Sequence, residues 1–563
     1  MPSNDDIDTR QQTSLFEAFE EVALGCPKQV AFKADGGNGK HYTYCEVAQL
    51  VRRLANGLAA APYADCDEIG LLSENRPEWC LAYLAVTAAG KTVVPIDANL
   101  KPAEIGYILG HARLKALFAS GRFEGQLTET YPHLKVISFE KGSSTFWRKL
   151  LTESPPEALT LVNPVAALIY TSGTTGSPKA VQLTHRNLLA NIEGVKPSLP
   201  FDNSDIFLSI LPLHHTFEAT CGFLVPLMSG STIIYARSLK SKEIKEDIEA
   251  NRVTVMSGVP LLYEKLYHSI KRGIGSAPPQ TRAVFKVLYG LSAIGWMVGG
   301  KWGRGLYRGL RRKAGLRSIR MFVAGGAALP PHICRFFNLL GLDMLQGYGM
   351  TECSPVISVN RPDNIKFGSV GLPLKNVQVR IDRPDSSGVG EILIKGDNVT
   401  PGYRNDPEKN AELLRDGWLH TGDLGRLKDG HLWITGRKKN LIVSAAGKNI
   451  YPEQIEEMLL QSDFILESVA FGRRKAGRQG EEVCAIIVPD LEQFQVAHGI
   501  EPVKPDRGKI ESVIRAEVNR INRQMADYKR VSDFQVRLEE LEKTSSKKVK
   551  RFIYKQGESG ERE

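Results

Sequence analysis

Between Glu68 and Ala112, short apolar runs alternate with longer stretches whose apolar positions recur at helical spacing. Glu68–Ser73 and Thr92–Asp97 predict strands, and Pro77–Ala89 and Pro102–Ala112 predict helices. Each helix opens on a proline, whose fixed φ suits a first helical turn. The rhythm returns with strands at Ile206–Leu211, Ser231–Ala236, Val253–Pro260 and Ile319–Gly326. Helices are predicted over Phe217–Leu227, Ser241–Asn251 and from Pro331. Strands separated by helices predict parallel sheets of βαβ units, which take ligands at the carboxyl ends of their strands.

After about Phe367 the pattern shifts to short strands, Asn376–Ile381, Gly390–Gly396 and His431–Gly436, with Gly, Asp and Asn turns between them. That texture predicts a small barrel or distorted sheet. From Lys439 the pattern is mixed, with helices over Pro452–Leu460 and Gly508–Met525 and strands near Ser468–Gly472 and Val483–Val488. The expected fold is α/β. A large N-terminal domain covers 1–438, β-rich over about 367–438, and an α+β C-terminal domain covers 439–563.

Composition agrees with a protein of several packed units: 563 residues, 42% hydrophobic and 24% charged. Collagen-like, disordered and disulfide-scaffold classes are thereby excluded. The eight cysteines form no CxxC pair, so neither a zinc ribbon nor a secreted disulfide framework is supported. The first residues, MPSNDDIDTR, are acidic and polar with no signal-peptide core, which predicts a reduced, cytosolic protein. Ala219–Ala236 is uncharged, but Pro226 and Ser229–Thr232 break it into a buried helix, a turn and a strand rather than a membrane span.

The net charge of +10 is concentrated. Lys271–Arg320 holds twelve basic residues and no acidic one, so the rest of the chain sums to −2. The excess therefore points away from nucleic acid and toward one local surface. An apolar stripe, Val287, Leu291, Ile294, Val298, Trp302, Leu306 and Leu310, runs through the same segment at steps of four and three. Two expectations stand: a basic amphipathic surface resting on anionic lipid, or a stripe packed on the main domain beneath solvated arginines. Seven glycines from Gly290 to Gly309 disfavour a helix here.

The strongest chemical signal is Tyr170–Lys179, Tyr-Thr-Ser-Gly-Thr-Thr-Gly-Ser-Pro-Lys, directly after the apolar run Val165–Ile169. Glycines let backbone N–H groups approach phosphate oxygens, hydroxyls donate to them, and lysine adds a mobile charge. The spacing is not that of a Walker A loop. In Gly347-Tyr348-Gly349-Met350-Thr351-Glu352, two glycines flank an aromatic able to stack on a purine. There Thr351 can donate to phosphate and Glu352 can hold Mg²⁺ through a hard oxygen. Alone, that string would read as a turn with a surface glutamate.

With these two strings the chain resembles the adenylate-forming superfamily, which includes acyl-CoA synthetases, luciferases and peptide-synthetase adenylation domains. The resemblance runs from about Leu15 to Tyr554, with further motifs in the family's order. It implies an ATP/AMP site built from Thr171, Ser172, Gly173, Thr174, Thr175, Gly176 and Lys179. Gly325, Gly326 and Ala327, together with Gly347, Tyr348 and Gly349, fall to the nucleotide by the same likeness. It further implies Asp423 on the ribose hydroxyls, Arg437 on the nucleotide and Lys439 as the hinge of a mobile C-terminal domain. His215 would line the acyl pocket, with His214 the lesser candidate, and no metal-ligand spacing recruits either. Gly447 would line the CoA tunnel, where Pro452, Glu453 and Glu456 are also good helix-initiation chemistry.

Three departures from the family pattern matter. Ala180 replaces the usual glycine after the lysine; Glu542 replaces proline and Lys547 replaces glycine in the last motif. Lys548 matches the catalytic lysine, with Lys547 its rival and a plain basic tail the alternative. Lys438 reads as a solvated basic turn. The resemblance implies catalysis by Lys548, Thr351 and Glu352, with Mg²⁺ as cofactor and ATP and CoA as co-substrates. The strings 347–360 and 325–333 look most like fatty acyl-CoA synthetases of medium or long chains. A carrier-protein thiol is the rival acceptor, and a catalytically inactive membrane-surface binder is the reading from another class. The expected location is cytoplasmic, peripheral at a membrane if 271–320 binds lipid.

Overall fold

The computed structural model describes residues 13–152, 164–171, 178–474, 480–501, 505–543 and 549–556. They form two compact units, one of residues up to Gln378 with Ile394–Leu419, the other of Val379–Leu393 with the residues from His420 onward. The expected division lay at 438/439; in the structure residues 420–438 group with the C-terminal part.

The first unit holds two sheets. The larger has nine strands, ordered Leu372–Pro373, Val356–Val359, Asp343–Gly349, Met321–Ala324, Val255–Gly258, Ile206–Ser209, Thr232–Tyr235, Val30–Lys33, His41–Thr43. Its centre is parallel and both edges are antiparallel. The six-stranded sheet runs Lys135–Ser138, Ala116–Ala119, Glu68–Leu72, Thr92–Ile96, Val165–Thr171, Lys179–Thr184, with only the last strand antiparallel. The predicted α/β class and the predicted strands of this part are found. Helix Pro77–Ala88 is buried on every side but Glu78, as a sequence apolar all round requires. Its Trp79 and Tyr83 meet Phe223 edge-on, joining it to the segment that follows the His214–Phe217 motif.

Ala219–Ala236 folds as expected into buried helical turns, Glu218–Leu224 and Val225–Met228, then the strand Thr232–Tyr235. Among the described residues no helix is long and apolar enough to cross a membrane. All eight cysteines are free. Against the glycine argument, Pro279–Met297 is a helix. Packing overrides propensity here: a Cβ at Gly295 would lie 2.5 Å from the Trp302 ring, so this glycine permits a close approach.

The stretch expected to be barrel-like comprises short strands Val377–Asp382, Gly390–Gly396, Leu414–Arg415, Trp418–Lys428 and His431–Arg437. The last two form a hairpin that runs from Asp423 opposite Arg437 to Lys428 opposite His431. The rest of the second unit is α+β. Ile465–Arg473 pairs antiparallel with Glu482–Pro489, and Asp533–Val536 adds in parallel. Helices Pro452–Leu459 and Arg507–Asn522 cover one face through Ile455, Leu459, Ile510 and Ile514, all nearly or fully buried.

Candidate functional site

Thr171 lies opposite Lys179 where strands Val165–Thr171 and Lys179–Thr184 pair. The two residues therefore close the mouth of the hydroxyl-rich loop. Ser172, Gly173, Thr174, Thr175 and Gly176 of that loop lie outside the described residues. Ala180, the departure from glycine, sits buried in extended strand opposite Tyr170, where the backbone does not require glycine.

The Lys179 ammonium lies 4.7 Å from the centre of the Tyr403 ring, and the Tyr403 hydroxyl donates to Glu352 Oε1 at 2.7 Å. A cation, an aromatic face and a carboxylate thus stand in series beside the loop mouth. Burial raises the Tyr403 hydroxyl above the usual phenol range and the Glu352 charge adds to it, so the group donates rather than ionises. The segment is fixed along the loop's second strand: Gln182 N donates to Gly402 O at 3.1 Å and Arg404 N to Ala180 O at 2.9 Å. Sequence reading missed Tyr403, because one tyrosine in a polar turn carries no pattern. The available signal was Gly402 before it, whose φ of +134° a side chain rarely adopts.

Glu352 sits in a single 3₁₀ turn, Thr351–Cys353, just past the strand Asp343–Gly349. Two buried amides grip that turn. Asn191 Nδ2 donates to Cys353 O at 3.2 Å and Val356 O at 2.8 Å, and Asn398 Nδ2 donates to the same carbonyls at 3.0 and 3.2 Å. Asn191 also accepts from Val356 N at 3.3 Å, so the two amides together hold this backbone in one geometry. Gly349 is obligatory, since a Cβ there would lie 2.0 Å from Pro355 O. Gly347, Tyr348 and Gly349 end one strand, and Gly325, Gly326 and Ala327 follow its parallel neighbour Met321–Ala324. Both strings therefore lie at carboxyl ends of adjacent strands, the place an α/β sheet offers a ligand. Gly325 admits the Phe217 ring, which a Cβ would approach to 2.8 Å, so the histidine motif meets the glycine motif here.

His214 Nε2 is 3.3 Å from Asp97 Oδ2, and the rings of His214 and His215 have centres 4.1 Å apart. Donor atoms of all three residues lie within 4.8 Å of one another. No metal-ligand spacing appears in the sequence because Asp97 arrives from the distant strand end after Thr92–Ile96. Two imidazoles and a carboxylate suit a transition metal, whereas Mg²⁺ takes hard oxygens. The carboxylate of Glu352, beside the phosphate-type loop, is the donor that fits Mg²⁺.

Just past this motif, Glu218 is 1% exposed, with Oε1 accepting from Ser209 Oγ at 2.6 Å and Oε2 without a hydrogen-bond partner. Burial pushes its carboxyl up to about 8, against a smaller lowering by Ser209. The groups around it, Cys80, Cys221, Tyr235 and Tyr263, are themselves raised by burial and stay neutral. A carboxyl raised on folding stabilises fully below its ordinary 4.5 and loses that contribution as pH climbs toward 8. Glu218→Gln should remove the slope. Chemical denaturation at pH 6 and pH 8 is expected to show wild type losing about 2 kcal/mol more than the variant. Parallel pH profiles would place a charged Glu218 in the folded protein.

In the second unit, Arg437 Nε lies 2.7 Å from Asp423 Oδ1, directly across the hairpin. Asp423 is buried and Arg437 half exposed, so the arginine aims the carboxylate. Thr421, Gly422, Arg437, Lys438 and Lys439 line a cavity of about 370 Å³. Lys438 is not simply solvated, as expected from sequence; its ammonium binds Glu391 Oε2 at 3.1 Å. Gly447 has φ +70° in the turn that joins Ile442–Val443 to Asn449–Ile450. Glu456 does more than start a helix: it is largely buried, accepts from Ala470 N at 2.7 Å and pairs with Arg551.

Lys547 and Lys548 lie outside the described residues. Their flanks are firmly tied, which a plain basic tail would not be. Lys543 bridges to Val549, its ammonium pairs with Glu467, Glu542 N donates to the Tyr554 hydroxyl at 2.6 Å, and Arg551 is held by Glu456.

The family model described as AMP-binding enzyme matches residues 19–404, and the AMP-binding enzyme C-terminal domain matches 454–548. The peroxisomal long chain acyl-CoA synthetase 6 of Arabidopsis thaliana is 31% identical over 482 residues, covering 78% of this chain and 68% of the relative. A feruloyl-CoA synthase of an Amycolatopsis species is 30% identical, covering 82% and 84%. The solved o-succinylbenzoate coenzyme A synthetase of Bacillus subtilis, in complex with ATP and magnesium ion, superposes with a TM-score of 0.72 at 24% identity, covering 96% and 99%. On the match across most of its length, this chain belongs to the AMP-binding enzyme family.

Proposed function

We propose that the protein is an AMP-forming acid–CoA ligase acting on a medium- or long-chain fatty acid. The observation that carries the reading is the series Lys179–Tyr403–Glu352 at the mouth of the hydroxyl-rich loop. A polyphosphate seated in that loop meets backbone donors, the Thr171 hydroxyl and the Lys179 ammonium. The adenine lies by Gly325–Ala327 and Tyr348, and the ribose hydroxyls donate to Asp423. Mg²⁺, held by Glu352, would neutralise phosphate charge that grows in the transition state.

In the first half-reaction a carboxylate oxygen attacks the α-phosphorus; the bond to the bridging oxygen breaks and pyrophosphate leaves with its electrons. The product is acyl-AMP. No protein nucleophile takes part, so Lys179, Arg437 and Lys548 act by orientation and charge. In the second, the C-terminal domain turns about Lys439, withdraws Lys548 and admits CoA along the turn at Gly447. The thiol releases its proton to water and attacks the acyl carbon beside His215; the bond from that carbon to the phosphate oxygen breaks, and AMP leaves with the electron pair. The reading places the enzyme in the cytoplasm, with 271–320 facing lipid.

Purified protein given ATP, Mg²⁺ and a panel of fatty and aromatic acids, with CoA or a holo carrier protein, tests this by product mass. Fatty acyl-CoA is expected. Feruloyl-type products would overturn the acid, and acylation of the carrier alone would overturn the acceptor. The array itself is tested by Tyr403→Phe, which keeps the ring beneath Lys179 but frees Glu352. Its KM for MgATP in ATP–pyrophosphate exchange is expected to rise about fivefold with kcat little changed. An unchanged KM would remove Tyr403 from the site.

A further inference from the structure

Helix Pro279–Met297 is apolar toward the core and apolar away from it. On the inner side Phe285, Leu288 and Tyr289 pack on a buried cluster, and Trp296 stacks on Phe367 with ring centres 5.4 Å apart. Ser292 Oγ donates to Leu339 O at 2.7 Å, and Gly295 lies under the Trp302 ring. These contacts fix the rotation of the helix, so its outer face is set by the fold. Along that face Val284, Val287, Leu291, Ile294 and Met297 are 57, 63, 41, 54 and 84% exposed. Steps of three and four put them on one line, which Val298 and Trp302 extend. The stripe read from sequence therefore divides: Leu306 and Leu310 pack on the core, and the rest faces outward.

The charges divide too. Lys301 and Arg304 are committed to Asp343, and Arg320 to Asp205. Arg282, Lys286, Arg308, Arg312 and Lys313 remain exposed, and no acid lies between Lys271 and Arg320. An apolar line of this length is unusual on a free surface and marks an interaction site.

We propose that this face rests on an anionic bilayer, the helix lying in the headgroup plane with its outer line in the acyl boundary. Charge complementarity selects lipid over a protein surface of mixed sign: every charge that 271–320 carries beside its apolar line is a cation, which matches a uniformly negative leaflet. The purpose of the surface rests on the proposed fatty-acid substrate, which partitions into bilayers; binding is read without turnover, so either can fail alone.

The full chain is mixed with vesicles of phosphatidylcholine, or of phosphatidylcholine with phosphatidylglycerol, and sedimented. Binding is expected only with the anionic lipid and should weaken with salt. Leu291→Asp with Ile294→Asp should lower it at least about tenfold, and Arg282→Glu with Lys286→Glu should weaken it and flatten the salt dependence. Both variants change exposed positions, and an unchanged melting temperature and ATP–pyrophosphate exchange with a water-soluble acid control for folding. Wild type left in the supernatant, or a Leu291/Ile294 variant that binds equally, overturns the proposal. So does a wild-type dimer made monomeric by that variant without vesicle binding, which would assign the face to a second copy.

Discussion

Alanine at Lys548 is expected to lower acid-dependent ATP–pyrophosphate exchange by about 10²–10³-fold while CoA transfer from supplied acyl-AMP stays near wild type. The asymmetry follows from where the charge develops. Pentavalent α-phosphorus and departing pyrophosphate gain negative charge only in the first half-reaction, so a lysine held there serves adenylation alone. The described flanks are anchored on both sides: Lys543 and Val549 bridge to each other, and Arg551 is held by Glu456 just beyond. Lys547→Ala, changed within the same neck, is expected to retain exchange. Equal loss of both half-reactions in the Lys548 variant would sink the assignment, and loss of exchange only in the Lys547 variant would transfer it.

The parallel strands and their helices were legible because their patterns are local: period two or a short apolar run, then period 3.6. The runs Thr171–Lys179 and Gly347–Glu352 stood out because each gathers unusual residues in sequence, Gly, Ser and Thr before a lysine in one and two glycines about a tyrosine in the other. What escaped depends on distant pairs. Tyr403 joins Lys179 to Glu352 from a turn more than two hundred residues beyond the loop. Asn191 and Asn398 meet the same two carbonyls from segments about two hundred residues apart in the chain. Asp97 reaches His214 across two sheets. The helix Pro279–Met297 escaped for another reason: its glycines argue against it locally, and only Trp302 packing on Gly295 shows why one of them is there.

Those buried amides make Glu352→Gln an informative change. The turn Thr351–Cys353 is held by Asn191, Asn398 and the bond from Thr400 N to Glu352 O at 2.9 Å, none of which uses the carboxylate. Glutamine also keeps an oxygen for the Tyr403 hydroxyl, so the local fold and melting temperature should be retained. What is lost is one negative charge and one hard anionic donor. Exchange is therefore expected to fall by about 10²-fold at saturating ATP, and the Mg²⁺ concentration for half-maximal rate to rise. Glu352→Asp, which restores the charge on a shorter arm, should recover part of the rate. If the glutamine variant keeps its rate and its Mg²⁺ dependence, Glu352 serves the turn and the metal is held elsewhere. If rate falls with no change in Mg²⁺ dependence, the carboxylate orders Tyr403 and Lys179 around the phosphates, and the series acts as a positioning array without the ion.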